Sequence, residues 1–175
     1  MPQNIQEVRV ECHTALGPDT PILVDDKIIN MRQLHLGYSG KNVKSFATNP
    51  NKQFTVDECR ITEVPQEVFV PYTVKIGLAS GFHFECTPGS LIATQQNGFV
   101  PVETLEKGSK VCMILFNSES GQFFYDAETS VTEIDKSTDS TLQVPVYLFI
   151  SEFKNILLPY YKEGSNMIGF INLKQ

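Results

Sequence analysis

The side chains that could act as nucleophiles or bases are few and lie far apart in the sequence. Cys12 is followed directly by His13, which places a thiol next to a potential base. Val8–Cys12 alternates apolar and polar residues, a pattern typical of a strand with one buried face. Neighbouring side chains on a strand point to opposite faces, so the alternative is a buried core thiol at Cys12 beside a surface histidine.

The other histidines and cysteines form no recognisable metal-binding or catalytic pattern. His35 and His83 are far apart, and the fold would have to bring them together. Cys86 is either a displaced reactive thiol or a core residue. The four cysteines are widely spaced and include no C-x-x-C pair; they are Cys12, Cys59, Cys86 and Cys112. We therefore expect reduced thiols, no metal site and no cofactor.

Composition indicates one globular domain over residues 1–175, with 41% hydrophobic and 19% charged residues. The net charge of −6 and the absence of any basic run argue against a nucleic-acid partner. No apolar stretch approaches the roughly 20 residues that cross a bilayer, and the first residues do not form a secretory signal. We expect no membrane partner and a cytoplasmic protein, or part of a particle assembled in the cytoplasm.

Short apolar runs separated by turn residues predict an all-β fold, and no segment has a sustained helical period. Asn97-Gly98 predicts a hairpin with a type I′ turn, and Asp25–Lys27 predicts a second turn. A short helical turn is expected after each hairpin, over Asn30–Leu36 and over Glu103–Lys107, with Leu34 and Leu105 facing inward. These two leucines lie about 70 residues apart, and other segment pairs share that offset. The sequence therefore predicts pseudo-repeats at about 20–88 and 89–160, related by an internal two-fold axis; the alternative is that hairpins simply look alike.

The order of these segments resembles the Hint module, the autoprocessing domain of hedgehog proteins and inteins. Cys12, Gly17 and the strand after Asp19-Thr20 resemble its first motif, a nucleophile followed by G-D-T and an apolar strand. Thr87–Val111 resembles its second motif, and Val146–Leu158 its penultimate strand pair. The resemblance covers about residues 12–172 and implies a single all-β, horseshoe-like domain with internal pseudo-two-fold symmetry.

The resemblance also implies a chemistry in which the chain is its own substrate. A thiol or hydroxyl at the first residue attacks the preceding carbonyl, and a histidine three residues after the second-motif threonine protonates the departing amide nitrogen. In splicing members a terminal asparagine then cyclises. Here Cys12 and Asn172 would be the reactive residues, and Thr87 and Ser90 mark the second motif.

The sequence departs from this pattern at most of the reactive positions. Ser90 stands where the histidine is expected, Leu148 where an aspartate is common, and Lys154 where a histidine sometimes precedes the asparagine. Asn172 lies between an isoleucine and a leucine, so an assisting group and an acceptor nucleophile are both missing. The gap from Cys12 to the G-D-T-like segment is also long.

The preferred interpretation is an intein-like domain that has lost protein splicing and serves as a structural or interaction module, with a viral or phage-type protein as one expected setting. One alternative is a domain that still cleaves or splices its own flanking polypeptide through Cys12. The other is an unrelated β-barrel binding module. The sequence identifies no protein partner.

Overall fold

The computed structural model describes residues 13–38, 43–63, 65–136, 143–161 and 164–175. These ranges contain fourteen strands and one short α-helix. In chain order they are β1 Pro21–Val24, β2 Lys27–Asn30, α1 Met31–Gly37, β3 Val43–Asn49, β4 Thr55–Ile61, β5 Gln66–Val70, β6 Val74–Leu78, β7 His83–Cys86, β8 Leu91–Thr94, β9 Gly98–Pro101, β10 Lys110–Asn117, β11 Gln122–Asp135, β12 Val144–Leu148, β13 Asn155–Tyr161 and β14 Met167–Lys174. The predicted all-β fold is confirmed.

The largest sheet has eight strands, in the order β7-β6-β11-β10-β14-β8-β9, with β13 also paired to β14. Three two-stranded sheets, β1-β2, β3-β4 and β5-β12, complete the pairings, and every pairing given for the described strands is antiparallel. The 14-residue strand β11 pairs with β10 over its first part and with β6 over its last part. This long strand therefore joins β6 and β7 to the rest of the large sheet.

One main hydrophobic core joins β1, α1, β6, β7, β13 and β14. Leu34 on α1 and Leu105 are both buried in it, as predicted. The helix begins at a capping box, in which the Asn30 side chain accepts from the Gln33 amide and the Gln33 side chain accepts from the Asn30 amide. None of the helices in the described ranges has the length and apolar character that a membrane crossing requires.

Both predicted hairpins form, but their turns differ in length from the prediction. Asp25 and Asp26 both have positive φ, at 49° and 69°, and form the two-residue loop between β1 and β2. The β8-β9 loop instead has three residues, because Thr94 pairs with Gly98, and Gly98 at its end has positive φ. The prediction of a two-residue type I′ turn at Asn97-Gly98 was wrong. Three-residue loops are the next most common hairpin connection after two-residue loops.

The order of hairpin, helical turn and long strand occurs twice along the chain. It appears first as β1, β2, α1 and β3, and again as β8, β9, the 3₁₀ turn Val102–Thr104 and β10. The predicted turn over Glu103–Lys107 thus begins and ends earlier than expected. The two-fold axis that would relate the two pseudo-repeats stays a prediction.

Candidate functional site

The hydroxyl of Thr87 lies directly after β7 and is buried against the segment that precedes β1. The backbone amide of Ala15 donates to Thr87 Oγ1 at 3.1 Å. The same hydroxyl donates to the carbonyl oxygen of His13. One threonine side chain therefore contacts the two peptide links that flank Thr14.

Backbone hydrogen bonds hold this segment in place between two strands. The Thr87 amide donates to the Ala15 carbonyl at 2.9 Å. Leu16 exchanges two hydrogen bonds with Tyr147 of β12, at 3.1 and 2.8 Å, and also bridges to Cys86 of β7. Backbone pairing therefore fixes Ala15 and Leu16 between the two strands, and the Ala15 nitrogen faces the Thr87 hydroxyl.

Gly17 allows the segment to approach β7 this closely. Its amide donates to the carbonyl of Glu85 at 2.8 Å. A Cβ atom at this position would come within 2.4 Å of Glu85 Oε1 and 2.8 Å of Glu85 Cβ. A larger residue would push the segment away from the strand, so the glycine of the first motif has a steric reason.

Ser90 lies on the other side of the Thr87 hydroxyl from Ala15, and we call the buried group of these three residues the pocket. Its side chain is buried and its Oγ lies 2.8 Å from Thr87 Oγ1, while its amide donates to the Thr87 carbonyl at 3.0 Å. A serine hydroxyl can exchange hydrogen bonds here, but unlike a histidine ring it does not carry a transferable proton near neutral pH. The position three residues after Thr87 therefore lacks a general acid.

The thiol of Cys86 lies next to this pocket in the chain and is fully buried. Burial raises the pKa of the Cys86 thiol to about 12, although the Ser90 side chain acts in the opposite direction by hydrogen bonding. The thiolate is the nucleophilic form of cysteine, so a thiol with this pKa stays inert near neutral pH. Cys86 is therefore a packing residue in this state of the chain.

The last strand reaches the same peptide link from the opposite direction. Thr14 Oγ1 donates to the carbonyl oxygen of Lys174 at 2.5 Å and accepts from the Leu91 amide at 3.1 Å. The Thr14 side chain thus joins the end of β14 to the start of β8. The segment before β1 and the end of β14 consequently meet beside the Thr14–Ala15 link.

Asn172 lies two residues before Lys174, in a separate polar cluster. Its Nδ2 donates to Thr48 Oγ1 at 3.3 Å. The backbone amide and the hydroxyl of Thr48 both donate to Asn155 Oδ1, at 2.9 and 3.1 Å. The side-chain hydrogen bonds of Asn172 in the described residues do not include Thr14, Ala15 or Thr87. The structure therefore brings Thr87 and Ser90 together but places Asn172 in a different group.

The remaining predicted residues are located as follows. Cys12 lies outside the described residues, and His13 takes part through its backbone carbonyl. The His35 ring packs against Tyr147 with its Nδ1 2.8 Å from the Pro65 carbonyl, whereas His83 lies beside Gly77. Among the described residues, Cys59, Cys86 and Cys112 are free, and no group of three or more potential metal ligands occurs.

Solved structures give the context for this arrangement. The chain superposes on a bacterial intein-like domain from Clostridium thermocellum with a TM-score of 0.64 and 20% identity, covering 92% of this chain and 98% of that chain. The DnaX mini intein from Spirulina platensis gives a TM-score of 0.66 with 17% identity over 92% of this chain and 98% of that one. The TvoVMA intein gives 0.63 with 18% identity over 91% and 96%.

This chain has the intein-like, or Hint, fold. No protein-family model and no curated protein matches the sequence. The intein-like fold of the described ranges agrees with the resemblance that the motif order implied.

One residue of the pocket escaped the sequence analysis. The amide nitrogen beside Thr87 belongs to Ala15, not to a cysteine. The signal was the long gap between Cys12 and the Asp19-Thr20 pair, which is too long for the first motif. Ala15 lies closer to that pair, but its methyl side chain is not reactive and so gives no sequence signal for this position.

Proposed function

We propose that this intein-like domain has lost its self-processing chemistry and serves as a structural or interaction module. The observation that carries the proposal is the hydrogen bond from the Ala15 amide to Thr87 Oγ1. In the chemistry that the resemblance implies, a second-motif histidine protonates the departing nitrogen, so the nucleophile belongs to the residue whose nitrogen lies at the second motif. A methyl group cannot attack a carbonyl, so the first step has no nucleophile at Ala15.

The second support is the identity of the group beside Thr87. In this chemistry a general acid must protonate the amide nitrogen as the carbon–nitrogen bond breaks. Ser90 occupies that position and hydrogen bonds to Thr87 Oγ1 at 2.8 Å. With Ala15 and Ser90 together, both the attacking group and the proton donor are absent from this pair of positions.

The third support comes from the end of β14. Lys174 is the residue whose carbonyl reaches Thr14, and its side chain lies over the Phe99 ring, 5.7 Å from the ring centre. A lysine has no side-chain carboxamide with which to form a cyclic imide, and the carboxamide of the next residue, Gln175, is held by Ser151 and Phe149 at 2.6–2.9 Å. Asn172, the asparagine proposed from the sequence, hydrogen bonds to Thr48 instead.

The test is the intact mass of the chain with a folded tag fused at each end, incubated for days with and without dithiothreitol. We expect one uncleaved mass under both conditions for the wild type and for Cys12→Ala. A released or joined fragment that disappears in Cys12→Ala would refute the proposal and restore the alternative of self-processing through Cys12. Cleavage near the end of β14 that is lost in Asn172→Ala would also refute the proposal, because it would show that Asn172 still reacts.

A further inference from the structure

A groove with an apolar floor lies on the side of the molecule where three loops meet the last strand. We call it the hairpin groove. It is formed by the β3-β4 loop, the β8-β9 hairpin, the loop before β13 and the end of β14, and its principal residues are Phe54, Phe99, Phe153, Lys154, Asn172 and Lys174. It does not include Thr87 or Ser90, and it adjoins the Thr14–Ala15 link through Lys174, whose carbonyl accepts from Thr14 Oγ1.

Phe54 is presented to solvent at a conformational cost. Its side chain is 64% exposed. Its φ of 59° lies in the left-handed region, and Gln53 before it has a φ of 57°. A bulky residue in this region is a genuine outlier, and such outliers concentrate at binding and catalytic sites. The loop therefore gives up stability to display an aromatic ring at the edge of the groove.

The rim of the hairpin groove is positively charged. Lys154 and Lys174 line it, and none of its described lining residues is acidic. Lys154 also has a left-handed backbone, with a φ of 60°. Two lysines beside exposed phenylalanines stand out in a chain whose net charge is −6, and they favour an anionic occupant.

The floor of the groove contains an unsatisfied acceptor. Asn172 is 9% exposed, and its Oδ1 has no hydrogen-bond partner among the residues that the structure describes. Leaving such a buried acceptor unpaired is unfavourable, because it loses its hydrogen bonds to water without replacement. Because this oxygen has almost no solvent-accessible surface, an occupant contacts the rings and lysines at the rim instead.

We propose that the hairpin groove docks an extended, acidic segment of a partner protein that carries a bulky apolar side chain. The apolar side chain packs between Phe54 and Phe99, and flanking carboxylates meet the two lysines. An extended peptide can place carboxylates on both sides of one apolar side chain, which neither a lipid tail nor a free anion can. This inference names the partner chemistry for the interaction role proposed above and rests on it.

The probe is a phage-displayed library of random 12-residue peptides, selected on the immobilised full chain. Selected peptides are then synthesised with a fluorescein label, and their Kd is measured by fluorescence anisotropy. The test variants are Phe54→Ser and the double variant Lys154→Glu/Lys174→Glu. The matched controls are Phe124→Ser, which removes a ring that is 46% exposed outside the groove, and Lys27→Glu/Lys75→Glu, which makes the same change in charge elsewhere.

We expect enrichment of peptides that combine aspartate or glutamate with one aromatic or aliphatic anchor. Their Kd should rise at least tenfold in each test variant and change less than twofold in each control. Raising NaCl from 50 to 500 mM should weaken binding, because the lysines lie at a solvent-exposed rim. No enrichment, or enriched peptides that bind Phe54→Ser as well as the wild type, would overturn the proposal.

Two further measurements distinguish a partner peptide from a second copy of the chain and from a loss of folding. Sedimentation velocity detects self-association: a dimer that Phe54→Ser dissociates would overturn the partner proposal by assigning the groove to a second copy. Circular dichroism melting establishes that each variant is folded, which we expect because the substituted side chains lie at the surface. Because intact mass and peptide binding are read separately, failure of one proposal is distinguishable from failure of the other.

Discussion

Replacing Thr87 with valine tests how the pocket is held together. Valine keeps the branched shape and removes only the hydroxyl, which accepts from the Ala15 amide and contacts the His13 carbonyl and Ser90 Oγ. Ala15 and Ser90 are both fully buried, so their polar groups at this contact cannot turn to water instead. Leaving a buried donor unsatisfied costs about 1–3 kcal/mol. We expect Thr87→Val to lower the free energy of unfolding by about 2–3 kcal/mol.

The assay is urea unfolding followed by circular dichroism, with thermal melting as a second measure. For a chain of this length, each kcal/mol lowers Tm by about 2–4 °C, so a fall of about 4–12 °C is expected. The control is Thr94→Val, which removes a hydroxyl that also makes two hydrogen bonds, to Gly98 and Asn97, but in an exposed turn. That control should change stability by less than about 0.5 kcal/mol. Equal, small losses in both variants would refute the burial argument.

Three further predictions concern other parts of the fold. Leu34→Ala should cost about 2–5 kcal/mol in urea unfolding, because it opens a cavity in the main core. Gln175→Ala should cost about 1–3 kcal/mol, because the Gln175 carboxamide pairs with Ser151 and Phe149 at 2.6–2.9 Å. Burial raises the Cys86 pKa from 9.0 to about 12, so the unfolded chain loses its proton first as pH rises. The free energy of unfolding should therefore fall by about 1.4 kcal/mol per pH unit between pH 9 and pH 12. The measurement is the pH dependence of that free energy in the wild type minus the same dependence in Cys86→Ala.

Local patterns were enough to predict the elements but not how each turn is closed. The apolar pairs before Asp25 and around Asn97 correctly placed two hairpins, and the leucines after them correctly pointed into the core. The turn types were not predictable from the residue pairs alone, since strand register decides how many residues remain in the loop. Thr94 pairs with Gly98, and this leaves three residues for that loop.

The site was harder to predict than the fold because its decisive contact is a backbone one. Thr87 and Ser90 were identified from their spacing, and their hydroxyls do lie 2.8 Å apart. The partner of Thr87 is the amide of Ala15, 72 positions earlier in the chain. Every residue except proline has such an amide, so no side-chain pattern marks it. Cys12, by contrast, has a thiol that made it the candidate nucleophile in the sequence.

The most direct test of the central claim is to introduce a thiol and a histidine at the two positions where we propose that they were lost. In Ala15→Cys/Ser90→His, the new thiol should attack the Thr14 carbonyl carbon while the histidine protonates the nitrogen at position 15, so that a thioester forms and the peptide bond breaks. Dithiothreitol should then release a fragment that ends at Thr14, seen by intact mass. Wild type and Ser90→His alone should stay uncleaved. If the double variant is folded and no fragment ends at Thr14, or if the wild type releases that fragment, then Ala15 does not hold the position of the lost nucleophile.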